Sequence, residues 1–428
     1  MASPFFRRPP FTRVPFTHMS DAAHARTSGL LGNAARSLTW GAYLAASWTW
    51  CIGMFLPTML IRDFGGWAFL AFAIPNVVGA GAMGLVLARP GDSERLVAKH
   101  WRALSFFSLV TASFQVFFML WLARSVNFHE GALKDPAVLA ALAVGLIACV
   151  LAMTRESLAA ISGVVVMLIS IAAGVMMWRA GTLVPPDMTA PTGEAATRLK
   201  YLAPVCFFGF ALCPYADLTF HRARQAATGG TGAAAFVVGF GLMFAAMIAM
   251  TAGYAHLFAG HSLAAGLART GTSGAWLVVH LFVQLLYTCS VHARAWMDFR
   301  GQTPEGSRVG WGLMALALVA IGIIPAAGAV ADRWLDQPRG WDAHELVYRI
   351  YMSFYGLVFP AYVWLCVAPT RHGATRVTKW HLGVWAIACA AAAPMFWMGF
   401  IERREVWLAP GLGIVLLAGA IVPWSRKS

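Results

Sequence analysis

Twelve runs of apolar residues, each long enough to cross a bilayer as a helix, dominate this chain. A hydrocarbon core of about 30 Å needs about 20 residues of helix. Stretches 38–61, 67–88, 104–123, 136–153, 156–178, 201–221, 233–258, 275–297, 309–331, 350–369, 381–401 and 405–424 approach or exceed that length with few charges. They are continuous rather than alternating, which leaves helices and not a membrane β-barrel as the fold. The expected class is all-α, a polytopic membrane protein with about 12 transmembrane helices. Composition agrees: of 428 residues, 59% are hydrophobic and 12% charged, against roughly 45–50% and 25% in soluble domains. So few charges exclude a soluble enzyme and a nucleic-acid-binding domain.

The formal net charge of +14 is a topology signal. With residue 1 inside, 20 of the 32 Lys and Arg fall on inner segments and 12 on outer ones. The positive-inside rule then puts both termini in the cytoplasm, in a plasma (inner) membrane. Residues 1–37, basic and proline-containing, read as a retained, disordered cytoplasmic tail. The seven cysteines lie in apolar stretches without a C-x-x-C pair, as buried small hydrophobes do, rather than as a disulfide framework or metal site. Segments 179–200 and 332–349, the longest outer loops, read as solvated connections, and Gly79, Gly81 and Gly84 as close helix crossings.

The sixth stretch contains Phe208-Gly209-Phe210-Ala211-Leu212-Cys213-Pro214-Tyr215-Ala216-Asp217. Pro214 must kink or open the helix, and an acid near the membrane interior is functional or paired. The carbonyls that Pro214 frees are met either by a ligand or by neighbouring helices. In the purely structural alternative, Asp217 pairs with His221, Arg222 or Arg294. The first stretch carries a comparable interruption, Trp50-Cys51-Ile52-Gly53-Met54-Phe55-Leu56-Pro57, preceded by Ser47, Trp48 and Thr49. If helices 1–5 and 6–10 are repeats, the two interruptions are equivalent, and because five is odd the second copy is inverted.

In these features the chain resembles the LeuT-like transporters, the five-plus-five inverted-repeat group holding amino acid, sodium/solute and nucleobase symporters. The resemblance implies a first repeat over 38–178, an outer loop at 179–200, a second repeat over 201–369 and two trailing helices over 381–424. It places a solute at Trp48, Trp50, Gly53, Phe208, Gly209 and Tyr215, between aromatic walls, and a coupling ion at Asp217, Thr288 and Ser290. Cys289 separates the two hydroxyls, which then point about 200° apart, and helix hydroxyls also bond back to carbonyls four residues earlier. Na+ and H+ both stand as coupling ions, with His221, His280 and His292 able to carry protons. Asn76, Gln115, Ser353 and Tyr355 are further polar residues for a cavity lining.

The expected function is a secondary active transporter that moves a small organic solute across the lipid bilayer by alternating access, with no resident cofactor, metal or nucleic-acid partner. The competing class is a multispan membrane enzyme, or a haem- or metal-binding protein using embedded histidines such as His256 and His280. Asp-rich pyrophosphate motifs and an H-E-x-x-H helix are missing. Segment 89–103, RPGDSERLVAKHWRA, only partly matches the turn expected of the major facilitator architecture.

Overall fold

The computed structural model describes residues 30–125, 156–259, 263–268, 274–300, 343–371 and 377–423. Among them regular structure is entirely helical. Among the described residues, eight helices are long and apolar enough to cross a membrane, or nine if one bent pair forms a single span. The protein is an integral membrane protein, and its helices satisfy their backbone groups internally as lipid requires. The predicted stretches 136–153 and 309–331, and most of the tail 1–37, lie outside the described residues.

In chain order the helices are α1 (Leu30–Trp48), α2 (Cys51–Phe64), α3 (Trp67–Val86), α4 (Asp92–Ser125), α5 (Glu156–Arg179), α6 (Gly193–Leu212), α7 (Leu218–Ala226), α8 (Gly229–Phe258), α9 (Gly274–Arg300), α10 (His344–Thr370), α11 (Lys379–Ile401) and α12 (Glu405–Ile421), besides a short helix Leu263–Ala268. Stretch 38–61 is not one helix, because α1 and α2 meet at 58°. α4 begins at Asp92, so most of the segment read as the loop 89–103 is helical. Asp92 and Glu94 occupy its first turn, where acids suit a helix N-terminus. A kink at His100 (φ −119°, ψ 16°) then separates this lead from the apolar span. α6 likewise starts at Gly193, inside the segment read as the loop 179–200.

α1 packs on α5 and α8, α3 on α6, and α4 on α9, while α11 and α12 pair with each other. Small residues let these backbones approach. A Cβ on Gly79 of α3 would lie 2.5 Å from Ala211 Cα of α6, and one on Gly239 of α8 would lie 3.0 Å from Gly41 Cα of α1. Of the glycines expected at crossings, Gly79 and Gly84 make such approaches, Gly84 to Phe236, whereas Gly81 has only ordinary contact distances. Gly79→Ala is therefore expected to destabilise the fold by about 1–3 kcal/mol through overpacking, seen as a lower unfolding temperature in detergent. Unchanged stability would mean that α3 and α6 stand further apart than described.

Charged clusters sit at both ends of the bundle. At one, Arg222 of α7 and Arg294 of α9 both pair with Asp298, and the Arg224 guanidinium donates to the Leu87 and Ala88 carbonyls (2.9 and 2.7 Å) at the C-terminus of α3. At the other end, Arg62 and Asp63 close α2 against α10, Arg62 pairing with Glu345 and Asp63 with Arg349. Glu345 is only 5% exposed. Glu345, in the described part of segment 332–349, is therefore a buried helix residue and not part of the solvated connection that the composition suggested.

Candidate functional site

The α1–α2 break lies at Thr49–Trp50, several residues before Pro57, which sits inside α2. Trp50 is extended (φ −76°, ψ 177°), and its indole N–H donates back to the Ser47 carbonyl. Several backbone groups at and beside the break find partners on neighbouring helices. The Cys51 amide donates to Gln115 Oε1 of α4 (3.3 Å), and Thr288 Oγ1 of α9 donates to the Ala46 carbonyl (3.4 Å). Tyr348 of α10 donates to the Cys51 carbonyl (3.0 Å), and Tyr254 of α8 to that of Met54 (2.6 Å). Four helices thus converge on one interruption.

The second break joins α6 to α7 through a tight turn, Cys213–Ala216, and the extended Asp217 (φ −86°, ψ 114°). Pro214 ends the regular helix, as its missing N–H requires. The Phe210 carbonyl, deprived of its amide partner, faces Gly79, where a Cβ would come within 2.9 Å of it. Asp217 caps α7: Oδ1 accepts from the Thr219 amide and hydroxyl, both at 2.7 Å. The other oxygen, Oδ2, lies 3.8 Å from His292 Nε2 of α9. None of the partners expected from sequence, His221, Arg222 or Arg294, takes it. His221 turns to Ser93 Oγ (2.9 Å) and the Tyr215 carbonyl (3.1 Å), while both arginines go to Asp298.

The two breaks touch, with Thr219 Oγ1 3.4 Å from Ser47 Oγ and the Trp48 and Phe220 rings at 4.9 Å. Between them lies a central cavity of about 10 Å³ lined by Trp48, Trp50, Gly53, Asn76, Phe210 and Tyr355, among others. That volume is about one water's worth. Trp48 is oriented by its indole N–H donating to Asn76 Oδ1 (3.0 Å), and Tyr355 by its hydroxyl meeting Thr111 (2.9 Å).

Several residues singled out from sequence sit elsewhere. Phe208 and Tyr215 do not line this cavity, where Phe210 takes the aromatic position on α6. Gly209 is a packing residue inside α6, because a Cβ there would lie 2.6 Å from the Tyr355 carbonyl. Gly53 does line the cavity, but from within α2, past the break, and at ordinary contact distances. Ser290 bonds back to the Leu286 carbonyl (2.8 Å), away from Thr288. Gln115 lies at the break, as noted, and Ser353 bonds back to the Arg349 carbonyl (3.2 Å).

Beyond the central cavity, α2, α6, α10 and α11 enclose a second, mainly apolar cavity of about 60 Å³, reaching from Phe210 and Tyr355 to Asp63 and Arg349. Its far wall is an ion network. Arg62 grips Glu345 with two bonds (2.8 and 2.9 Å), Arg349 joins Glu345 to Asp63 (2.8 and 3.1 Å), and Arg403 reaches Asp63 (3.1 Å). Alongside it Arg198 of α6 holds Glu405 bidentately (2.8 and 2.7 Å). Burial draws the Arg403 guanidinium, which lies past the end of α11, below the usual arginine range, with Asp63 opposing that shift. Sequence reading missed this network, although Arg62-Asp63 at a span end and the Glu345/Arg349 spacing of one helical turn were signals for it.

The histidines of the competing reading have local explanations. His280 Nδ1 meets Ser170 Oγ of α5 (3.0 Å), and His256 Nδ1 meets the Gly253 carbonyl (3.2 Å). Among the described residues, no group of three or more His, Cys, Asp or Glu is placed to hold a metal ion. No protein-family model matches this chain, and no curated protein matches it in sequence.

Proposed function

We propose that this protein is a secondary active transporter of a small organic solute, coupled to Na+ or H+ and working by alternating access. The observation that carries this reading is the meeting of two interrupted spans at one buried polar cluster. Discontinuous helices put unpaired backbone ends and irregular geometry at membrane depth, which is tolerated only where protein or a cavity meets them. The resemblance to LeuT-like transporters supplies the frame: about 12 helices, two inverted repeats, both termini cytoplasmic in the plasma membrane. α1, α2, α3, α6, α7 and α8 then belong to the moving part and α4 and α9 to the part they move against. In the conformation described, the central cavity is too small for a solute and the Arg62–Glu345 network closes the outer cavity. Loading requires that network to open and the aromatic rings around Trp48 to part.

The test is uptake of radiolabelled amino acids and nucleobases into proteoliposomes under imposed sodium or proton gradients. Wild-type protein should accumulate at least one of them. Asn76→Leu, which strips Trp48 of its buried hydrogen bond, should cut that uptake about ten-fold, the equivalent of a lost buried bond of roughly 1–3 kcal/mol. Uptake no faster than into protein-free vesicles, under either gradient, overturns the reading.

A further inference from the structure

Asp217 Oδ2 and His292 Nε2 face each other across 3.8 Å, on residues that are both 0% exposed, and neither atom has a hydrogen-bond partner among the described residues. The spacing is too long for a hydrogen bond and too short to seat a further side chain between them. Two buried, unsatisfied polar atoms aimed at each other are rare and call for a missing component. The remaining atoms of both groups are committed. Asp217 Oδ1 holds the start of α7, and His292 Nδ1 lies 3.2 Å from Ser108 Oγ of α4. Whatever completes the site therefore sits between Oδ2 and Nε2.

We propose that Asp217 and His292 are the proton-binding pair of this protein, taking up one proton between carboxylate and imidazole and releasing it when α7 moves against α9. The inference rests on the transport reading for its purpose and selects H+ over Na+ as the coupling ion. In the empty state the pair carries one negative charge, on Asp217. A proton taken from water binds the Nε2 lone pair, which gives an imidazolium that donates from Nε2 to Oδ2 and from Nδ1 to Ser108 Oγ. The pair is then neutral overall, and proton release restores the starting charge. A hard cation suits the gap poorly, because such ions draw on several oxygens, whereas here one oxygen faces one imidazole nitrogen.

Among the described residues, no other titratable group nearby completes the pair. On α7, His221 is held by Ser93 and the Tyr215 carbonyl, and Arg222 pairs with Asp298. α1 brings Tyr43 and Ser47, and the turn brings Cys213, a buried thiol. α4 brings Ser108, with His100 further along bonded to Tyr362 and Thr370. From α9 come Tyr287, which donates to the Ala159 carbonyl, and Arg294, which pairs with Asp298. α8 meets α7 through Phe236 and Phe240. The pair also has a mechanical link: the Trp50 ring lies 5.6 Å from the His292 ring at 69°. A charge appearing on that imidazole is felt at the α1–α2 break, through the attraction of a cation to an indole. Closing 3.8 Å to hydrogen-bond length draws the second break toward α9.

The test counts protons, with no solute present. Purified full-length protein in weakly buffered detergent is titrated between about pH 5 and 8, the window in which histidine pairs act. Asp217→Asn and His292→Gln should each bind one proton fewer than wild type, and the double variant also one fewer, because the proton belongs to the pair. Ser108→Ala keeps both titrating groups, so it should bind the full number with its midpoint moved to lower pH, having lost the acceptor that favours the imidazolium. A single variant that binds as many protons as wild type, or a double variant that loses two, overturns the proposal. So does an unmoved midpoint in Ser108→Ala. If the pair titrates as stated and no solute is accumulated under any gradient, the proton site stands and the transport reading falls. Uptake driven by sodium alone, with unchanged proton counts in the variants, does the reverse.

Discussion

Arg349→Met is expected to destabilise the folded protein by about 3 kcal/mol, the low end of the cost of removing one partner from a buried ion pair. Arg349 is the hub of the network that closes the outer cavity. Its guanidinium reaches Glu345 (2.8 and 3.0 Å), Asp63 (3.1 Å) and the Phe400 carbonyl (3.1 Å), with a side chain 12% exposed. Methionine, apolar and unbranched, keeps the packing of the aliphatic stem but leaves the Phe400 carbonyl without its donor. Glu345 keeps Arg62, and Asp63 keeps Arg62 and Arg403, which holds the loss to that low end. Adding Glu345→Gln removes the acid that Arg349 had balanced. The double variant should therefore fall short of the sum of the two single losses by at least about 0.5 kcal/mol, the coupling expected of residues in one network. Both values are read from reversible unfolding in mixed micelles. An Arg349→Met protein as stable as wild type would mean that the network is a solvated surface feature, and simple additivity would mean that the two residues do not act together.

That network also marks where sequence reading stops. The described spans follow apolar runs because lipid leaves a backbone no alternative to helix, and Pro214 located the second break because a missing N–H acts locally. The first break was harder to place. Pro57 is absorbed within α2, and the interruption sits at Trp50, where Gln115, Thr288 and Ser47 meet the opened groups. Those partners come from α4, α9 and α1, and no local pattern announces them. Phe208 and Phe210 are two residues apart, hence about 200° apart on a helix, so choosing the one that faces the cavity needs the rotation of α6, which packing on α3 and α10 decides. Asp217 was legible as an acid beside a break, but its partner was not, because His292 lies on a helix that only the fold brings alongside. Glu345 fell in a segment read as a solvated connection for the same reason: a charge at a span end looks solvated until its counter-charges arrive from other helices.

Trp50→Ala should be among the most damaging single substitutions in the core, at about 3–5 kcal/mol, and should be partly repaired by indole. The Trp50 side chain is 1% exposed, with ring centroids 4.3 Å from Trp48, 5.3 Å from Tyr355 and 5.5 Å from Phe107. Its removal opens a cavity of roughly 150 Å³, a size that stays dry and admits a benzene-sized guest, where the protein now has about 10 Å³. The Ser47 carbonyl, which accepts from the Trp50 indole, is left as an acceptor aimed into that space. Added indole can restore both the packing and the hydrogen bond, and at ten times its dissociation constant it should return about 1.4 kcal/mol, measured as a rise in unfolding temperature absent from wild type. Trp50→Phe keeps most of the volume and loses the bond, so it should cost only about 1 kcal/mol and gain nothing from indole. A Trp50→Ala protein as stable as wild type, or one that indole stabilises no more than wild type, would show that the indole does not hold the break. Rescue by indole would show that an aromatic guest fits where the Trp50 ring now packs, the place at which the transport reading puts its solute.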